Sequence, residues 1–288
     1  MGSTATDIDS QIKILEERGL IIHDYAKTKE LLLDVGYYRL GFYFYYFQDT
    51  EHNFEEDICI DDIVSLYYFD FDIKMMLLRY IYRIEVHFRT QLVYYVSNFY
   101  SGNNAWYADP KIVNNDILKE LNNIYYILRT NNNTLIKHHQ KYPGDSFAPA
   151  WKVFEFFTFG QVFKFYSNLK NVELKKKIAG VYGFRDVELL NNYLIAIINI
   201  RNICSHNGIL FDFNQPIGIR RIPNLKYRIQ TANTTNLNAS IRLILFILSK
   251  ISINRSTELE NNLKELFKKG KTKNLVDRII ANKIKFDM

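Results

Sequence analysis

Residues 61–102 read DDIVSLYYFDFDIKMMLLRYIYRIEVHFRTQLVYYVSNFYSG. No glycine or proline interrupts the stretch before Gly102, and its apolar residues keep a helical period. At 1.5 Å rise per residue it can form one helix of up to about 60 Å, the expected spine of the fold. Just upstream, residues 49–62 carry seven carboxylates and no lysine or arginine, which predicts an exposed loop ending in a helix cap at Asp61.

Helical periodicity dominates on both sides of this segment. A first helix is expected over 8–18, stopped at Gly19, and a second after Asp24, which can cap it, running to about Gly36. Tyr37 to Phe47 is an aromatic block whose rings either fill the core or stack on bases, core packing being the simpler use. Asp109-Pro110 restarts the chain into a helix that ends around Asn131-Asn132-Asn133 or slightly beyond. Tyr142-Pro143-Gly144 makes a turn, and Pro149 suits the first turn of the next helix. Further helices fit 160–169, 172–180, 186–204, 237–253, 257–269 and 273–285. Between 207 and 235, Gly208, Pro216, Gly218 and Pro223 break any helical period, so a loop with at most a short hairpin is expected.

The chain has 288 residues, 48% of them hydrophobic and 24% charged, a profile that excludes a disordered or low-complexity polymer. Cys59 and Cys204 are too few for a disulfide scaffold and lack C-x2-C spacing, so a reducing cytoplasmic setting without a structural metal or cofactor is expected. The most apolar stretch, 241–253, is interrupted by Arg242 and Lys250 and is shorter than the ~20 residues a bilayer span needs, so no membrane association is expected. The net charge of +6 is unevenly spread. From Arg220 onward 15 Lys and Arg stand against 5 Asp and Glu, a net of +10, leaving 22 against 26, or −4, before it. Such a field draws polyanions, RNA among them, or else forms a solvated helix face.

Walker A, G-x-G-x-x-G, H-E-x-x-H and G-x-S-x-G signatures are all missing, which argues against nucleotide hydrolases and zinc peptidases. What remains is Arg201-Asn202-Ile203-Cys204-Ser205-His206 at the end of a strongly apolar helix. A histidine of near-neutral pKa can move a proton, and a permanent guanidinium can hold a phosphate. That pairing suits RNA, which carries its own nucleophile in the 2′-OH. Five residues of helix rotate direction by about 140°, so the two side chains converge only if the helix frays near Ser205. The plain alternative is an arginine ending a helix and a histidine capping it. A second R-x4-H, Arg18 to His23, straddles a helix stop and reads as a decoy.

Ordered blocks add to this motif: Arg18-Gly19-Leu20, Gly36-Tyr37-Tyr38-Arg39-Leu40, Arg83-Ile84-Glu85 with Arg89, Ala148-Pro149-Ala150-Trp151 with Phe159-Gly160, and the 201–206 motif. In this order they resemble bacterial abortive-infection proteins of the AbiD/AbiF type, over about residues 10–225. The resemblance implies phage defence, an all-α fold with a HEPN-type bundle, a HEPN ribonuclease motif at Arg201 and His206 supported by Asn202, association with a structured noncoding RNA encoded nearby, and kinship with RNA-guided CRISPR ribonucleases. HEPN relatives pair their motifs across a two-fold axis, which implies a homodimer. The chain departs from the family's pattern at Ser205, Asn207 and Ile209, where the family has Ala, a second His and Arg.

The expected organisation is a helical body over 1–219 carrying the motif, with a basic helical region over 220–288 packed on it. Arg220, Arg221, Lys226, Arg228, Lys268, Lys269, Lys271 and Lys273 are the expected RNA-backbone contacts near the active centre. Glu85 and Arg89, one helical turn apart, are expected to pair and to support the site. His138-His139, with no third ligand nearby, is expected to be solvated. The reading is therefore a metal-independent endoribonuclease of phage defence, with two rivals: a noncatalytic RNA-binding module using the same residues, and a scaffold for a partner.

Overall fold

The long helix forms as one piece, Ile60–Phe99, in a computed structural model that describes residues 4–206, 208–269 and 275–285. It begins two residues earlier than a cap at Asp61 would set. Cys59 is the N-cap, and the Asp62 carboxylate accepts from both the Cys59 backbone N–H and its Sγ at 3.0 Å. Asp61 instead lies in the first turn and accepts from Lys27 Nζ at 2.7 Å.

Thirteen α-helices and no strands occur among the described residues. They are α1 (Ile8–Glu17), α2 (Tyr25–Asp34), α3 (Tyr37–Phe44), α4 (Ile60–Phe99), α5 (Asn115–Asn131), α6 (Asn133–Lys141), α7 (Ala150–Val153), α8 (Phe159–Ser167), α9 (Val172–Val181), α10 (Val187–Ser205), α11 (Leu237–Ile251), α12 (Ile253–Lys269) and α13 (Leu275–Ile284). The fold is all-α, as expected. Gly19 ends α1 with φ +90°, its N–H bonding Glu16 O at 2.8 Å and Leu20 N–H bonding Leu15 O at 3.0 Å, a paired closure that only a left-handed residue supplies without strain. Asp24 caps α2 through Lys27 N–H at 2.9 Å.

Three local expectations hold and gain detail. The aromatic block is itself helical as α3, burying Tyr43 and Phe44 and then Phe47, while Tyr38 and Tyr45 face solvent. The asparagine run does not merely end α5. Asn132 Oδ1 accepts from Thr134 N at 2.9 Å and Leu135 N at 3.3 Å and so starts α6. No hairpin forms among the described residues of the 208–236 loop. The loop is fastened by buried Gln215, which bonds Ala196 O and Ser240 Oγ at 3.0 Å each and accepts from Asn199 at 3.0 Å.

The buried residues of α4 recur at Ile63, Leu66, Asp70, Ile73, Leu77, Ile81, Ile84, Phe88, Leu92 and Val96, so one stripe runs its length. Against α4 pack α3 at one end, α8 and α9, and above all α10 and α11. In α11, Leu243 through Leu248 are all buried, and each large side chain hidden there contributes about 2 kcal/mol. α12 and α13 close over α4 and α11, so the core runs from Ile12 to Ile284 without a break. No helix among the described residues is long and apolar enough to cross a membrane.

Candidate functional site

The site grows from two carboxylates on the buried stripe of α4. Asp70, fully buried, accepts from Tyr43 Oη at 2.8 Å, from the backbone N–H of Leu210 at 2.9 Å and from that of Phe211 at 2.8 Å, and pairs with Lys74 at 2.5 Å. Four donors offset the cost of burying this charge. The effect is to pin the chain just after the Arg201–His206 motif to the first third of α4. Sequence reasoning missed Asp70. The signal was available: it occupies an apolar-stripe position of α4 where a carboxylate needs a reason.

Four turns further along α4, Glu85 accepts from Arg89 Nη2 at 2.8 Å, forming the expected pair, and both residues are buried. Arg89 also donates to Phe157 O at 3.1 Å and approaches Glu155 at 3.7 Å. The second oxygen of Glu85 lies 3.8 Å from Arg201 Nε. Glu85 thus stands between a buried guanidinium and a half-exposed one and fixes where Arg201 leaves α10. Arg201 lines a groove of about 450 Å³ with Ser205, Met75, Leu78, Arg79, Tyr82 and Glu85. Its Nη1 also contacts Asn202 Oδ1 at 3.4 Å.

α10 stays helical through Ser205, one residue further than convergence by fraying requires, and departs at His206, whose backbone is extended with φ −119° and ψ 178°. The His206 N–H still closes the helix on Asn202 O at 3.0 Å. Asn202, Ser205 and His206 are exposed, and among the described residues nothing hydrogen-bonds the His206 ring. His206 does not line the Arg201 groove. Between them Cys204 is buried beside Asp70 and Lys74, and burial pushes its thiol up to about 12, which keeps it protonated at neutral pH. Among the described residues no three His, Cys, Asp or Glu side chains stand together to hold a metal ion.

The other expected residues are placed as follows. Arg220 N–H bonds Asn192 Oδ1 at 2.9 Å and its guanidinium is 3.7 Å from Asp186, so it sits by the first turns of α10, about 14 Å of helix rise from Arg201. Arg221 and Arg228 are exposed, and Lys226 is held by Glu260 at 2.6 Å. Lys268 is exposed and pairs with Glu265 at 3.0 Å. Lys271 and Lys273 lie outside the described residues, as does the side chain of Lys269. Of the expected set, the structure therefore gathers Arg201, Asn202, His206, Glu85 and Arg89 at one end of α10, with the described basic residues elsewhere.

His138 and His139 are not solvated, which corrects the expectation for them. Both are buried: His138 Nε2 meets Asp145 at 3.1 Å and its Nδ1 meets Lys152 Nζ at 3.3 Å, while His139 Nε2 meets Tyr125 Oη at 2.8 Å. They join α6 to α5 and α7, a structural task. The decoy Arg18 and His23 are separated by the Gly19 helix stop, as expected.

An all-helical protein that presents an arginine and a histidine where a core helix runs out, with carboxylates of one long helix beside the arginine and on the chain just after the histidine, is the class this geometry defines. The chain belongs to the Abi-like protein family, whose model matches residues 30–212, the stretch from α2 to just past the Asp70-bound turn. Membership points to abortive-infection defence against phage. No curated protein and no solved structure matches the chain.

Proposed function

We propose that the protein acts in abortive infection, as an AbiD/AbiF-type member, by binding RNA and cleaving it without a metal, with Arg201 and His206 as the reacting pair of a HEPN-type motif. The observation that supports this most is the pairing of a Glu85-braced Arg201 in an open groove with an exposed His206 ring five residues on. In the proposed reaction the His206 imidazole takes the proton of a 2′-OH, whose oxygen attacks the adjacent phosphorus. The 5′-oxygen leaves, a 2′,3′-cyclic phosphate forms, and Arg201 offsets the charge that builds on the phosphoryl oxygens. The leaving oxygen needs a proton, which His206 of a second copy supplies in a homodimer whose two motifs form one composite site. A structured noncoding RNA encoded nearby is the proposed bound partner, with Arg220, Arg221, Lys226, Arg228 and the basic residues 268–273 contacting its backbone.

Incubation of the purified protein with structured and single-stranded RNA in EDTA tests the reading. Cleavage that disappears in His206→Ala supports it, and cleavage unchanged in that variant refutes the assignment. One observation favours a second reading, RNA binding without cleavage: His206 is absent from the lining of the groove that holds Arg201. RNA retained by the wild type with no cleavage in any buffer would establish that reading instead.

A further inference from the structure

A second groove, of about 270 Å³, adjoins the first and shares Arg79 and Tyr82 with it, extending over Arg83 to Arg255 at the start of α12. Tyr82 is 64% exposed, and among the described residues no ring or hydrogen-bonding group engages it. Arg83, also exposed, has no carboxylate partner among the described residues. Arg79 and Arg255 share a single carboxylate, Glu258, at 3.5 and 2.7 Å. Four guanidiniums, Arg79, Arg83, Arg201 and Arg255, therefore line one continuous trough against two carboxylates, Glu85 and Glu258. A bare aromatic ring stands in the middle.

We infer that this trough is the path of a single-stranded RNA segment, with an unpaired base stacked on Tyr82 and flanking phosphates held by Arg83 and by Arg79 with Arg255. The inference rests on the RNA reading of Arg201 and His206 and adds the route by which a strand reaches them. A ring beside cations recognises a π-face next to a phosphate, the repeating unit of a nucleic-acid strand, and stacking is open only to a base outside a duplex. Arg79 and Arg83 lie one turn apart on α4, about 6 Å between Cβ atoms, so they engage separate anionic groups rather than one. Tyr82 also ends an exposed stripe on α4 formed by Tyr68, Phe71 and Met75. The arginines gather only at the Tyr82 end, beside Arg201, and this favours RNA over a second protein surface there.

The test uses the full chain carrying His206→Ala, so that RNA is bound but not consumed, with a fluorescently labelled, unstructured polypyrimidine RNA titrated over a range of salt. Tyr82→Ala is expected to weaken binding about tenfold, with Tyr82→Phe retaining it. Arg83→Gln is expected to weaken binding about threefold and to reduce the slope of log K against log salt by about 0.7, one phosphate's worth on a single strand. Asp72→Ala, elsewhere on the exposed side of α4, is expected to leave both unchanged. If the parent binds RNA and Tyr82→Ala and Arg83→Gln bind it equally well, the path is refuted while the RNA reading stands. If the parent binds no RNA, both fall. Light scattering in which Tyr82→Ala lowers the molecular mass at unchanged RNA affinity would mark the trough as a contact between copies and overturn the inference.

Discussion

Asp70, three turns into α4, holds the backbone of Leu210 by a 2.9 Å hydrogen bond across 140 residues of chain. The next amide, Phe211, shares the same oxygen at 2.8 Å, while Tyr43 and Lys74 occupy the other. The turn that follows His206 is thereby tied to the same helix that carries Glu85. The motif's two ends, Arg201 and the chain beyond His206, are both referred to one rigid rod.

Asp70→Asn should lower the unfolding free energy by about 3 kcal/mol, because Lys74 is left charged and buried without its partner. Lys74→Met should cost less, since Asp70 keeps three neutral donors, and the double variant should cost less than the sum of the two. Urea titrations of the four proteins check this, and strict additivity would show that the two groups do not act as a unit.

Glu85→Gln should be destabilising by about 2–3 kcal/mol, because Arg89 is buried and keeps only the more distant, exposed Glu155 as a charge partner. Arg201→Ala should change stability by no more than about 0.5 kcal/mol, since Arg201 is half-exposed at a helix end. On the proposed function the order reverses for RNA cleavage, with Arg201→Ala losing about a hundredfold or more. Melting curves and cleavage rates measured on the same preparations separate the two effects.

Burial holds the imidazoles of His87 and His139 below the ordinary histidine range, with Arg83 adding to the effect at His87 and Arg129 at His139. Unfolded, each takes up its proton near pH 6.5; folded, only at lower pH. Between those values the unfolded chain binds more protons, so their contribution is complete above about pH 6.5 and is lost as pH falls below it. The melting temperature should drop on acidification from about pH 7 to about pH 5.5, and the drop should shrink in a His87→Gln, His139→Gln double variant. An identical drop in that variant would assign the acid sensitivity to other groups.

On the composite-site proposal, light scattering at micromolar concentration should give about 68 kDa, twice the 34.2 kDa chain. A monomer with and without RNA would contradict it.

The sequence made the spine legible because forty residues free of glycine and proline leave a periodic chain few alternatives, and α1, α2, α8, α9, α10 and α11 were readable from their caps and breakers. The Glu85–Arg89 pair was readable because its members lie one turn apart. Contacts between distant segments were not. Nothing local to His138-His139 announces Tyr125 or Asp145, and nothing near Asp70 announces the amides of Leu210 and Phe211. The aromatic block hid α3 because rings at almost every position erase the polar face by which a helix is recognised. Summed charge located the basicity but not which cations are paired: Lys226 and Lys264 share Glu260, Lys268 meets Glu265, and Lys283 reaches back to Asp212.

The order in which the ribosome releases these parts follows from the place of α11 in the core. α4 and the motif on α10 emerge first, but the surface they share is covered only when Leu243 to Leu248 arrive some forty residues after His206. Until then the nascent chain carries Arg201 and His206 on helices whose shared apolar surface is open to water. A message interrupted anywhere between the motif and α11 therefore yields a product whose apolar helices stay exposed, a ready target for proteolysis.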